Sequence, residues 1–349
     1  MIACHPAGAL REGKGMRERI LAGLLLLSSI PFARAGDACP ALRTQLASPD
    51  QGTRIAATAC NEHLLWYRPF IDVDGRLASS TVSEAEASHL ADGAGEPWRR
   101  VAGYWRESGL LWQMNRFPGA GECAHAGSGG YPSPTCRAFV VDKPWSAAFI
   151  SYVLKRAHLP GFQASASHYD YVAAAYGHPD ESPFQYLDPA TAKPGAGDLL
   201  CYVRNNDQVH GYAGFVAALG AGNGPYSMHC DIVVAANPGN DGKAYLVGGN
   251  VQQGVTMRVM PLNRNGNFWS LPQRTGAEDG CSPDNAAACS FNRQDWVALL
   301  KLKPAPALAR LPRATPVLPP AMPSAQPQQC CTACVVGSGV PRCPKPMIR

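Results

Sequence analysis

The apolar period of this chain changes once, near "PGAGD" (Pro194–Asp198), and that change limits the folds open to it. Before it, apolar residues recur at the three- and four-residue spacing of helices with one buried stripe. After it, short apolar runs separated by Gly, Pro and Asn read as strands. Helices first and strands second point to an α+β fold, with N-terminal helices packed on an antiparallel sheet, rather than to alternating βαβ units.

The elements follow from the same pattern. "TRIAATACNEHLLWYRPF" (Thr53–Phe70) reads as a helix, and residues 83–112 hold a second helical region whose apolar face is Trp98, Val101, Tyr104 and Trp105. A Gly-, Pro- and Ser-rich loop spans 117–137. A helix is then expected with Asp142 as its N-cap and Pro144 in its first turn; Trp145, Phe149, Tyr152 and Val153 form its buried stripe. "SHYDYVAAAY" makes another helix. Leu199–Val203, "HCDIVVAAN", "KAYLVGGN" and "GVTMRVMPL" read as strands, "HGYAGFVAALG" fits either state, and "SFNRQDWVALLKL" is expected as a closing helix capped near Asn292.

Both ends differ from the middle. "MRERILAGLLLLSSIPFARA" has a basic start, an apolar run and a small-residue site, the form of a secretory signal peptide cut after Ala35, with Met16 as a possible true start. Residues 36–53 form a leader, 54–302 the domain, and 303–349 a Pro-rich, Cys-containing disordered tail with eight prolines between Pro304 and Pro327. Twelve of the thirteen cysteines follow Ala35, which fits an exported, disulfide-bonded protein, secreted or periplasmic. Cys39 with Cys60, Cys123 with Cys136, and Cys281 with Cys289 are short-loop pairs; Cys201 and Cys230, in apolar strands, are expected as buried thiols. The net charge of +5 is carried by the ends: residues 301–349 hold seven basic side chains and no acidic one, and residues 36–300 hold 19 basic against 24 acidic. A mildly acidic domain argues against nucleic acid as a partner. No run after the signal is long enough to span a bilayer. A monomer is expected.

The stretch "DKPWSAAFISYVLKRA" (Asp142–Ala157) presents Ser146 at the start of a helix. Taken alone, a serine there is an ordinary helix-start residue. In the strand "HCDIVVA", His229 and Asp231 share one face and Cys230 takes the other, so Cys230 is structural if His229 faces a site. His168 and His210 are further imidazoles, but no pair of histidines has a short zinc-ligand spacing, and neither a metal nor a cofactor is expected.

"PWSAAFISYVLKRA", "PGAGDLLCY", "HCDIVVA" and "LVGGNVQQGV" occur in the order and spacing of the papain-like NlpC/P60 and CHAP superfamily of bacterial cell-wall hydrolases. Over residues 54–300 the chain is similar to the branch called DUF2272. The resemblance implies a papain-like domain and cleavage of an amide, with peptidoglycan stem peptide as substrate. It implies a site in which Ser146, standing where the family has cysteine, attacks. His229 is then base and acid, and Asn250 orients the imidazole. Trp145, Asp198, His168, His210 and Asp231 are expected around it. A hydroxyl is a far poorer nucleophile than a thiolate and needs a true general base. A catalytically inactive relative that binds a cell-wall peptide or glycan is the alternative.

Overall fold

The computed structural model describes residues 37–93, 95–127, 133–204, 208–274 and 281–312, together with the backbone of 333–334 and 341–342. The expected signal peptide lies outside these residues, as does most of the tail.

Among the described residues the fold is α+β: nine helices and a mixed seven-stranded sheet. The helices are α1 (Cys39–Leu42), α2 (Gln51–Leu65), α3 (Pro97–Glu107), α4 (Ala120–Cys123), α5 (Pro134–Asp142), α6 (Ser146–Arg156), α7 (His168–Gly177), α8 (Gly211–Gly220) and α9 (Ala305–Leu308). The strands are β1 (Phe70–Ile71), β2 (Phe184–Leu187), β3 (Leu199–Val203), β4 (Met228–Ala236), β5 (Lys243–Val251), β6 (Gly254–Pro261) and β7 (Asp295–Leu302), in spatial order β1-β6-β5-β4-β3-β7-β2. Every pairing is antiparallel except β1 with β6.

Side-chain alternation divides the sheet into two faces. Leu199, Cys201 and Val203 of β3 and Cys230, Ile232 and Val234 of β4 join the larger core under the helices. Leu200, Tyr202 and Val233 point the other way, into a smaller core shared with Trp296 and closed by Leu262, Phe268 and Leu271. α6 lies on the helical face with its stripe of Trp145, Phe149, Tyr152 and Val153 fully buried, as its spacing predicts. Gly249 makes room for it, because a Cβ there would run into the Phe149 ring. A buried polar knot ties α6 to α2 and α3: Glu62 accepts hydrogen bonds from Tyr104 (2.8 Å), Tyr152 (3.0 Å) and Arg100 Nε (2.8 Å). Both carboxylate oxygens are thereby satisfied, as burial requires.

Several expectations are corrected. Asp142 ends α5 rather than capping α6, whose N-cap is Trp145. "DWVALLKL" is strand β7, not a helix; burial on both sides of the sheet makes its apolar run continuous, and a continuous run hides the period. The loop 117–137 contains α4 and the start of α5. Residues 303–312, assigned to the tail, pack on the domain through buried Leu308 and Leu311, and two short strands, Ala333–Cys334 and Pro341–Arg342, pair within the tail. Buried Cys39, bonded to Cys60, ties the leader to α2.

Four disulfides are formed among the described residues: Cys39–Cys60, Cys123–Cys136, Cys281–Cys289 and Cys201–Cys230. The last overturns the expectation of two buried thiols. Cys201 and Cys230 are register partners on adjacent antiparallel strands and face the same core, which brings their Cα atoms to 4.1 Å. Such bonding is compatible with a secreted protein. No helix among the described residues is long and apolar enough to cross a membrane.

Candidate functional site

Ser146 is the first residue of α6. No side chain caps this helix, and its first intrahelical bond runs from Phe149 N–H to the Trp145 carbonyl. The N–H groups of the first turn and the positive end of the macrodipole are thus left at Ser146. Trp145 fixes that end of the helix. Its ring stacks on Trp66 and Tyr104, with centroids 5.7 and 5.5 Å away, and its Nε1–H donates to Glu84 Oε2 at 2.5 Å. Burial raises the Glu84 carboxyl to about 7, against a smaller lowering by the Trp145 bond.

The imidazole on Ser146 is that of His168, at the start of α7: Nε2 lies 2.7 Å from Ser146 Oγ. Its Nδ1 is bonded to the Tyr171 hydroxyl one helical turn on. The exposure of Ser146 is 3% and that of His168 4%, so the pair is almost sealed. Burial, and then the positive field of its neighbours, hold the His168 imidazole well below its usual range, so it is neutral near pH 7.

His229 is engaged elsewhere. Arg204 donates to its Nδ1 at 2.7 Å, and its Nε2 sits 2.8 Å from Asp231 Oδ1. A guanidinium can only donate and an ionised carboxylate can only accept. Nδ1 therefore carries the lone pair and Nε2 the proton, and the ring is neutral. Burial agrees, lowering its pKa to about 4 against the opposing pull of Asp231. Asp231 stays ionised far below the usual carboxylate range despite burial, because His229 and Arg258 face it. Arg258 Nε donates to Asp231 Oδ2 at 2.9 Å, and its NH1 reaches Asn292 Oδ1 (2.9 Å) and the Phe291 carbonyl.

The sheet explains this division. His229 and Asp231 do share a face and Cys230 takes the other. It is Cys230, however, that looks toward the core under α6, while His229 lies against Tyr202 of the opposite core, ring centroids 5.2 Å apart. His168 stands between the two halves, bonded to Ser146 and with its ring centroid 5.2 Å from that of His229. Gly248 leaves the space for the His229–Asp231 pair; a Cβ there would overlap Asp231 Oδ1.

The remaining expected residues are placed as follows. Asn250 is the bulge residue where the β5–β6 register shifts, at φ 56°, and makes no side-chain hydrogen bond among the described residues. His210 precedes α8 and donates its backbone N–H to Asp295, with its ring against Phe215 and Tyr226. Asp198 braces the start of β3, accepting from the Gly195 and Leu302 N–H groups and from Lys301. Neither His210 nor Asp198 touches Ser146. Among the described residues no three His, Cys, Asp or Glu side chains converge as a metal site requires.

Tyr171, Arg204, Arg258 and Glu84 were not anticipated. Arg258 carried a signal, as the lone charge in the apolar strand "GVTMRVM": a charge there demands a buried carboxylate partner. Tyr171 lies three residues after His168 on one helix face. Arg204 and Glu84 carried none.

These features define an α+β protein with a serine–imidazole pair at a helix N-terminus and a second, charge-locked imidazole beside it. The family described as "Uncharacterized protein conserved in bacteria (DUF2272)" matches residues 92–302, and the chain belongs to it. No curated protein and no solved structure matches the chain.

Proposed function

We propose that this is an exported, cell-envelope hydrolase-like protein of papain-like type that cleaves an amide, such as one in a peptidoglycan stem peptide, with Ser146 as nucleophile and His168 as its base. The observation that carries the reading is the 2.7 Å contact between Ser146 Oγ and a neutral imidazole nitrogen at the N-terminus of an uncapped helix. In the tautomer with Nδ1–H donated to Tyr171, His168 Nε2 accepts the Ser146 proton as Oγ attacks the carbonyl carbon. The first-turn N–H groups of Ala147 and Ala148 suit the oxygen that becomes negative. His168 then returns the proton to the leaving amine. Water, activated by the same nitrogen, releases the acyl group. Tyr171 takes the orienting part that the resemblance gives to Asn250, and His229 with Asp231 and the arginines sets the field around His168.

A second reading is a binding protein that has lost turnover. It is favoured by the near-complete burial of Ser146 and by the weak basicity of His168.

Purified sacculi incubated with the mature protein, and with Ser146→Ala, Ser146→Cys and His168→Gln, decide between them by mass analysis of released fragments. Native release, lost by roughly a hundredfold or more in both Ser146→Ala and His168→Gln, is the expected result. Release by Ser146→Cys alone, or retention of the protein on sacculi without release, supports the binding reading. Native release unchanged in Ser146→Ala excludes Ser146 as nucleophile.

A further inference from the structure

The cluster around His229 holds two guanidiniums, Arg204 and Arg258, against one carboxylate, Asp231. Both imidazoles are neutral, the His229 ring by the logic of its hydrogen bonds. One positive charge is therefore unbalanced, and the geometry says which. Arg258 is buried and spends its donors on Asp231, Asn292 and the Phe291 carbonyl. Arg204 is half-buried at the end of β3, held by its backbone N–H on the Ser227 carbonyl (2.8 Å). Its guanidinium bonds a neutral ring nitrogen, and no carboxylate lies within ion-pair distance of it among the described residues. A guanidinium has five donors in a planar fork whose natural partner is a carboxylate. Among the described residues its side chain bonds the neutral His229 ring and the Tyr202 hydroxyl, neither of them an anion, so part of that capacity and the whole of its charge are left without a carboxylate. The Arg204 charge also reaches His168, so it acts at the nucleophile's own imidazole.

We propose that Arg204 is the docking point for a free carboxylate on the ligand of the Ser146 site, which makes that ligand an acidic peptide or acylated amino acid rather than a neutral glycan. The inference rests on reading the Ser146 cluster as the ligand site, but not on turnover there. A carboxylate on the remaining donors of the Arg204 fork brings a negative charge beside the guanidinium that bonds His229 Nδ1, and the His229 nitrogen reports it.

The test uses the mature protein with N-acetyl-alanine and its uncharged twin, N-acetyl-alaninamide, at constant ionic strength. Affinity is followed by calorimetry and by the ¹⁵N resonances of the His229 ring. The acid is expected to bind at least about tenfold more tightly than the amide, with a half-saturation below roughly 50 mM, and to shift the Nδ1 resonance. Arg204→Gln is expected to abolish that preference. Equal binding of the two probes, no saturable binding by either, or a preference retained in Arg204→Gln overturns the assignment. The probe comparison on the unmutated protein stands even if Arg204→Gln fails to fold. A protein that prefers the acid but releases nothing from sacculi keeps this inference and loses the hydrolase reading. Fragment release with no acid preference does the reverse.

Discussion

Replacing Asp231 by asparagine changes the charge of one buried side chain and almost none of its shape. Asp231 bridges two donors, Arg258 Nε at 2.9 Å and His229 Nε2 at 2.8 Å, and all three side chains are sealed from water. An asparagine must turn its carbonyl toward Arg258, which cannot accept. Its NH₂ then faces the Nε2–H of His229. Moving that proton to Nδ1 only transfers the conflict, because Nδ1 faces the donor Arg204. One donor–donor clash is therefore unavoidable, at about 1–3 kcal/mol for the unsatisfied group. An uncompensated buried guanidinium costs about 3–5 kcal/mol. The two share atoms and do not add in full, so the expected loss is about 4 kcal/mol, a large part of a domain's stability. Urea denaturation measures it as a lower midpoint at unchanged slope, and a thermal scan as a fall of roughly 10 °C. A loss below about 1 kcal/mol would mean that Arg258 and His229 rehydrate without cost, and the argument that their hydrogen bonds fix the His229 tautomer would fail.

The remaining predictions concern pH. Glu84 has its carboxyl raised from 4.5 to about 7, so its contribution is fully present below pH 4.5 and is lost as pH rises through 7. Glu84→Gln keeps an acceptor for Trp145 and is expected to gain about 2–3 kcal/mol over the native protein at pH 8 and nothing at pH 4.5; equal effects at both values would show that the carboxyl is not desolvated. His229 has the opposite sign, because its pKa is lowered from 6.5 to about 4: its stability is present above pH 6.5 and lost as pH falls toward 4. In the Glu84→Gln background, where the opposing group is silent, urea midpoints should drop by the equivalent of at least about 3 kcal/mol between pH 7 and pH 4, because His168, also held below its usual range, adds a loss of the same sign; a flat profile would mean that His229 is charged in the fold.

Local pattern settles much of this protein. The switch of apolar period determines helices first and strands second, hence the α+β class, and it sets β3 to the residue at Leu199–Val203. The stripe on α6 and three of the four disulfides depend on spacings within one or two neighbouring elements, which a sequence displays. Ser146 at a helix start and the shared face of His229 and Asp231 are local facts of the same kind. What local pattern does not contain is which face of β4 meets α6. A strand alternates, so both assignments fit the same residues, and only the packing of Phe149 against Gly249 and the Cys201–Cys230 bond turn His229 away. With that choice made, the imidazole on Ser146 comes from α7, 22 residues along the chain, and His229 is locked by Arg204, just after β3, and by Asp231 of β4, itself held by Arg258 of β6. Partners of this sort are chosen by the tertiary structure because a hydrogen bond between distant segments leaves no period, and so no trace, in either of them.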